Sequence, residues 1–236
     1  MSEILKINDL WGGYKAGVDI LRGVSMEVQH GEAIGIIGLN GSGKSTLGKA
    51  IMNMIPIRRG EVLFEGKNVS SLSTSQLSRH GISIMQQGGK VFQTLSVWDN
   101  LQMAISQQAT ETLEKLRDII PMLRVPKKDL QRMMGDKLSG GQKHQLSLAM
   151  TLATNPRLVI LDEPSAGLSP KAVDDMYQLL HATRDTLGVT TILIEQNIAR
   201  AIDFCDRCAI MQSGITNMVT TGNSEIQNIE KIMFNN

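Results

Sequence analysis

The 236-residue sequence predicts an α/β fold: a mixed sheet flanked by helices, with an antiparallel β region at its N-terminal end and an inserted helical sub-lobe. Three observations carry the prediction. A glycine-rich loop, Gly38-Leu39-Asn40-Gly41-Ser42-Gly43-Lys44-Ser45, stands between a strand-like and a helix-like segment. A wholly apolar run, Leu158-Val159-Ile160-Leu161, ends in Asp162-Glu163, the pattern of a strand buried on both faces and closing at a ligand edge. From Ser139 onward strand-like and helix-like stretches alternate, and Thr191-Ile192-Leu193-Ile194 forms a second buried strand.

The elements follow in order. Ile4 to Leu10, Val24 to Val28 and Glu32 to Ile37 have strand character, and Glu61 to Glu65 ends at the turn Glu65-Gly66-Lys67. A helix is expected from about Gly43 to about Asn53, its positive end on the glycine-rich loop. Ile82 to Met85 is a further strand. Helical spacing through Leu113, Leu116 and Ile120 marks residues from about Asn100 to Lys137 as helical. The next helix carries Leu146, Ala149, Met150 and Ala153 on one face. Ser169-Pro170 is an N-cap and first-turn pair for another, with Val173, Met176 and Leu180 aligned. The expected organisation is one domain over residues 1–236. Residues 1–87 and 143–236 would form the α/β core and 88–142 the sub-lobe.

Composition narrows the function classes. The net charge is +1 and aromatics are 3% of residues, which argues against a nucleic-acid-coating or base-stacking surface. The N-terminus enters strand-like alternation with no apolar leader, and no apolar run approaches the roughly 18 residues that span a bilayer. The expectation is a soluble chain whose membrane role, if any, comes through a partner. Cys205 and Cys208 are the only cysteines. Their C-x-x-C lacks two further nearby ligands for zinc, so both are expected in the core, as are the 14 methionines.

The loop at Gly38 to Ser45 fits the pattern G-x-x-x-x-G-K-[ST]. Glycines allow a tight turn whose N–H groups converge on phosphates. Lys44 offers a cation to the β- and γ-phosphates, and the Ser45 hydroxyl a ligand for Mg²⁺. Asp162 is placed to hold Mg²⁺, directly or through water, and Glu163 to polarise an attacking water. Leu138-Ser139-Gly140-Gly141-Gln142 opens a helix with a hydroxyl, bare backbone N–H groups and a helix dipole. A simple N-cap accounts for Ser139 but not for two glycines, which weaken a helix. These three segments, in this order, imply ATP binding.

The ordered set resembles the ATPase subunits of ABC (ATP-binding cassette) transporters over essentially the whole chain, which implies a P-loop NTPase fold of the ABC type. In that resemblance ATP is held by Gly38, Leu39, Asn40, Gly41, Ser42, Gly43, Lys44, Ser45 and Thr46, and Tyr14 stacks on adenine. Leu138, Ser139, Gly140, Gly141 and Gln142 are similar to the signature motif, which closes over ATP held by a second ATPase subunit. Gln87 looks like the glutamine that senses Mg²⁺ and water, with Gly88 to Trp98 bordering the surface that receives a membrane subunit. The alternatives are a core tyrosine at position 14 and a solvated loop glutamine at 87. The catalytic set implied is Glu163, Lys44 and Gln196. Implied partners are a second cassette, as homo- or heterodimer, transmembrane permease subunits and, indirectly, an extracytoplasmic binding protein. The implied location is the cytoplasmic face of a bacterial or archaeal cell membrane.

Two departures narrow the branch. Ser169 stands where many cassettes carry Asp, and Gln196, in Glu195-Gln196-Asn197, where most have a switch histidine. Both resemble the smaller ATPase of importers for branched-chain amino acids, urea and related amides. The stretch Lys143-His144-Gln145-Leu146 and Ala149-Met150-Thr151-Leu152 is poorer in arginine than the family pattern. A lipid or lipopolysaccharide exporter ATPase stays open, since Ser96-Val97-Trp98-Asp99-Asn100 suits that branch, though Gln196 suits it poorly. Cassettes of DNA repair or translation usually carry long insertions or two cassettes per chain, and this chain has neither.

Overall fold

Buried strands and short caps set the architecture. The structure is a computed structural model that describes residues 2–15, 17–105 and 126–220. Of the stretch expected to be helical from about Asn100 to Lys137, residues 106–125, with Leu113, Leu116 and Ile120, lie outside the described residues. Residues 100–104 are helical, whereas 126–137 hold two short 3-10 turns, Lys127–Asp129 and Gly135–Lys137, in place of an α-helix. The chain forms two units, Met1–Ile82 with Thr190–Asn236, and Ser83–Val189.

The first unit holds two sheets. In one, β1 (Glu3–Gly12) pairs antiparallel with β2 (Leu21–Gln29) and with β4 (Ile57–Phe64), and β4 pairs with the short β5 (Lys67–Asn68). This is the antiparallel N-terminal region the sequence predicts. β4 begins earlier than its apolar run because Gly60, at φ 85°, lets the backbone carbonyls of Asn8 and Asp9 approach where a Cβ would overlap them. In the other sheet, β3 (Ala33–Ile37) lies parallel to β8 (Thr190–Glu195) and β9 (Arg207–Gln212), while β9 pairs antiparallel with β10 (Ile215–Thr220). The sheet is therefore mixed. Every residue of β3 and β8 is buried, as their apolar runs require.

Both cysteines are core residues. Gly35 of β3 lies opposite Cys208, and a Cβ on it would sit 2.7 Å from Cys208 Sγ and 3.3 Å from Cys205 Sγ. The strand needs a glycine there to admit two sulfurs. A hydrogen bond with Cys205 holds the Cys208 thiol below its ordinary range, against the opposing effect of burial. α1 (Lys44–Ile51) ends two residues short of the expected Asn53 and closes at its C-cap Met52; Asn53, at φ 51°, turns the chain away, and its Nδ2 donates to the Val69 and Leu72 carbonyls. α2 (Thr74–Arg79) starts from a capping box of Ser73 and Gln76. α6 (Ile198–Phe204) is capped by Asn197.

In the second unit β7 (Leu158–Asp162) neighbours β6 (Ile82–Met85), and all of β7 is buried. α3 (Val97–Ala104) is capped by Ser96 and buries Val97, Asn100 and Leu101. α4 (Gly140–Ala153) buries the predicted Leu146, Ala149 and Ala153 but leaves Met150 half-buried, and it is buried along His144 to Ala149 rather than on one face. α5 (Pro170–Leu187) buries the predicted Met176 and Leu180 and leaves Val173 half-buried. Not every methionine is core. Met54, Met103 and Met134 are exposed, Met103 because it falls opposite the Val97-Asn100-Leu101 face of α3.

Candidate functional site

The phosphate loop leaves β3 at Ile37 and curls back into α1. A Cβ at Gly38 would overlap the carbonyl of Met211 and come within 2.8 Å of Ser42 Oγ, so only glycine fits. Lys44 is almost fully buried. Its ammonium donates to the carbonyls of Gly38 (2.8 Å) and Leu39 (3.0 Å), drawing the loop around the cation. Gly43, at φ 109°, turns the chain into α1, whose first turn has no side-chain cap and no acidic residue. Its N-terminal N–H groups and Lys44 make one positive end, suited to an anion. Ser42 Oγ is buried without a hydrogen-bond partner among the described residues, an orphan polar atom that a phosphate oxygen would satisfy. Leu39, Asn40 and Gly41 are exposed along the rim, Ser45 is half-buried and Thr46 is buried.

Three further residues of this unit bear on the reading. Tyr14 is 51% exposed and so is not a core tyrosine. Its hydroxyl accepts from Lys49 Nζ at 3.3 Å, and that ammonium lies 5.5 Å from the ring centroid. Gln196 is exposed just beyond β8. The sequence reading missed Glu195, a buried carboxylate whose Oε2 accepts from the backbone N–H groups of Gln196 (2.9 Å) and Asn197 (3.3 Å), fixing the turn that presents Gln196. It also missed Gly214, at the turn between β9 and β10. Gly214 N donates to Ser42 O and Arg22 N donates to Gly214 O, both at 2.9 Å, so this turn buttresses the phosphate loop.

In the second unit Asp162 ends β7 and Glu163 follows it, both buried. Glu163 has φ 49°, a left-handed conformation that costs an L-residue roughly 1–2 kcal/mol and aims its carboxylate out of the strand line. Gln87, after β6, donates from Nε2 to Glu163 Oε2 at 2.7 Å. The structure thus joins Glu163, at the end of the acidic strand, to Gln87, which the resemblance points to, and the Gln87 side-chain carbonyl is its remaining acceptor.

Ser139 caps α4 through a capping box: Gln142 N donates to Ser139 Oγ (3.3 Å) and Ser139 N to Gln142 Oε1 (3.0 Å). Gln142 therefore orders the helix start. Leu138 is buried and anchors it. Ser139 to Gln142 line an open cleft of about 500 Å³ with Gly167, Leu168, Ser169 and Asp175. Gly141 needs to be small, because a Cβ there would stand 3.1 Å from Ala172 Cβ. Between Gly88 and Trp98, Asn100 organises the chain: it accepts from Phe92 N at 2.8 Å, and its Nδ2 donates to Phe92 O and Ser96 O, both at 2.9 Å. Phe92 itself is 50% exposed.

Comparison with known proteins gives one family. A family model described as ABC transporter matches residues 21–166. The high-affinity branched-chain amino acid transport ATP-binding protein BraG of Pseudomonas aeruginosa is 31% identical over 91% of this chain and 92% of its own. The lipopolysaccharide export system ATP-binding protein LptB of Escherichia coli K12 is 30% identical over 89% of this chain and 87% of its own. Among solved structures, a nucleotide-free ATP-binding cassette from an ABC transporter superposes with a TM-score of 0.80 at 27% identity, covering 98% of this chain and 96% of that one.

Proposed function

The chain belongs to the ABC transporter family as an ATP-hydrolysing cassette, and from that premise we propose that it powers import of branched-chain-type amino acids or related small amides. The observation that carries the import reading is Glu195-Gln196-Asn197 at the end of β8, where a neutral glutamine takes the place of the usual histidine. Similarity to BraG supports it.

The roles follow from the chemistry of each group. Lys44, the N–H groups of the loop from Gly38 to Thr46 and the Ser42 hydroxyl bind phosphate oxygens, and Tyr14 offers its exposed ring to adenine. Mg²⁺ bound with ATP neutralises charge on the β- and γ-phosphates. Ser45, Asp162 and the Gln87 carbonyl are oxygen donors of the kind that would hold this hard cation. Glu163 accepts a hydrogen bond from Gln87 and orients the attacking water; Gln87 keeps the carboxylate aimed. Gln196 donates an amide hydrogen bond toward the γ-phosphate. The cleft walled by Ser139 to Gln142 receives ATP held by a second cassette.

In this reading residues 1–236 act as one ATPase domain in a homo- or heterodimer beneath transmembrane permease subunits, at the cytoplasmic face of a bacterial or archaeal membrane. An extracytoplasmic binding protein delivers substrate to those subunits. Among the described residues no helix is long and apolar enough to cross a membrane. Similarity to LptB supports a second reading, lipopolysaccharide export. Purifying the tagged chain from native membranes and identifying its companions separates the two. A second cassette with permease subunits, followed by ATP-driven leucine uptake in vesicles, is expected. Companions of an export system and no uptake would overturn import and leave the ATPase intact.

A further inference from the structure

His144 belongs to the stretch after the signature glycines that departs from the family pattern, and no role above uses it. The imidazole is 5% exposed, and its Nδ1 lies 2.6 Å from the carbonyl oxygen of Pro164, the residue after Glu163. A carbonyl has no proton to give, so Nδ1 carries the hydrogen and donates. The other side of the ring faces Gly89, two residues beyond Gln87. A Cβ at Gly89 would overlap His144 Cδ2 and lie 2.8 Å from His144 N and 2.9 Å from His144 Cα. Gly89 is at φ 55° and buried, so the chain there is shaped to lie directly against the ring and the first turns of α4.

These contacts converge on the reacting carboxylate. The left-handed backbone of Glu163 persists only where its surroundings over-determine it. Two hydrogen bonds do so: Ala166 N donates to Glu163 O at 3.1 Å, and His144 holds the next carbonyl. On the opposite flank Gln87 donates to Glu163 at 2.7 Å, and the chain beyond Gln87 rests on the same imidazole. We infer that His144 is a positioning residue: its ring ties the helix opened by Ser139-Gly140-Gly141 to both Glu163 and Gln87, and so sets where the water-activating carboxylate points. The inference rests on Glu163 acting on water. A side chain at position 144 must donate at the Nδ1 position and fill the space over Gly89. Asparagine supplies the donor at nearly the Nδ1 place, and leucine supplies only the volume.

The test uses the assembled transporter and reads kcat, KM and ATP affinity together. His144→Leu is expected to lower kcat about tenfold or more with ATP affinity changed by less than about twofold, since misplacing a reacting group affects turnover rather than binding. His144→Asn is expected to restore most of the rate. Gly89→Ala approaches from the other side, pushing the ring off Pro164, and is expected to reproduce the kcat loss even if His144→Leu fails to assemble. A parental kcat in Gly89→Ala or His144→Leu, or a loss in His144→Asn equal to that in His144→Leu, would overturn the inference. Glu163→Gln in the same complex separates the levels. If it stops turnover while the His144 and Gly89 variants do not, only the positioning role fails. If it turns over at the parental rate, the Glu163 assignment fails and takes the positioning role with it.

Discussion

Gly214→Ala should damage the phosphate loop from a distance in sequence. Ser213 and Gly214 have φ 48° and 83°, the pair of left-handed residues a two-residue hairpin turn requires. A Cβ at Gly214 would overlap the carbonyl oxygen of Ile20 and stand 2.9 Å from its carbon, so the turn must back away. Backing away breaks two hydrogen bonds, Gly214 N to Ser42 O and Arg22 N to Gly214 O. Each is worth about 1 kcal/mol net, and alanine at this φ costs about 1 kcal/mol more. The sum, about 3 kcal/mol, corresponds at roughly 2–4 °C per kcal/mol to a fall in Tm of about 6–12 °C. Gly31→Ala is the matched control: its φ is 75°, yet a Cβ there meets nothing within 4 Å, so it carries only the conformational cost. Thermal unfolding and titration with a fluorescent ATP analogue, on both variants, read the difference. Loss of the Ser42 tether should also weaken ATP binding by about tenfold, or about 1.4 kcal/mol. Equal Tm values for the two variants, with ATP affinity unchanged, would refute the buttress.

Four further outcomes are expected. The isolated chain should bind ATP but hydrolyse it slowly if, as proposed, the cleft lined by Ser139 to Gln142 serves a facing subunit; full-speed, concentration-independent turnover by a monomer confirmed by light scattering would contradict the shared site. Gln196→His should raise complex ATPase severalfold, because imidazole, near its unperturbed pKa of about 6.5, adds charge that a neutral amide lacks. In a heterodimer Lys44→Ala should cost less activity than the equivalent change in the partner; an unchanged rate in Gln196→His with a larger Lys44→Ala loss would end that asymmetry. Cys205 and Cys208 should resist a bulky aromatic disulfide reagent in the folded chain and react fully in denaturant, since both are buried; rapid labelling of the native protein would contradict their core placement.

The parts of the fold that were legible are those written in local pattern. β3, β7 and β8 are apolar runs buried along their whole length, and α5 shows its core face at helical spacing through Met176, Leu179, Leu180 and Thr183. α2 falls outside every helix the sequence predicts although its cap Ser73-x-x-Gln76 is present, because six residues give too little apolar periodicity; α3 begins three residues ahead of the helical stretch expected from about Asn100, at the cap Ser96-x-x-Asp99. The Ser213-Gly214 dipeptide was likewise a turn signal between β9 and β10. The remaining features come from approach between distant segments and have no local signature. The Gln87–Glu163 bond, the Gly214 tether to Ser42, the Glu195 clamp on Gln196 and the packing of His144 over Gly89 all depend on which segments the fold brings together.

The account turns on Glu163 as the residue that activates water at a site otherwise built for binding. The direct measurement is Glu163→Gln in the assembled complex, with ATP binding and ATP hydrolysis read side by side and Lys44→Ala as the binding-defective comparison. Glutamine preserves the shape and removes the basic carboxylate, so ATP binding at this chain's site should persist while turnover at that site falls by roughly 10²–10⁴-fold, and Lys44→Ala should lose both there. Hydrolysis by Glu163→Gln at the parental rate would contradict the account.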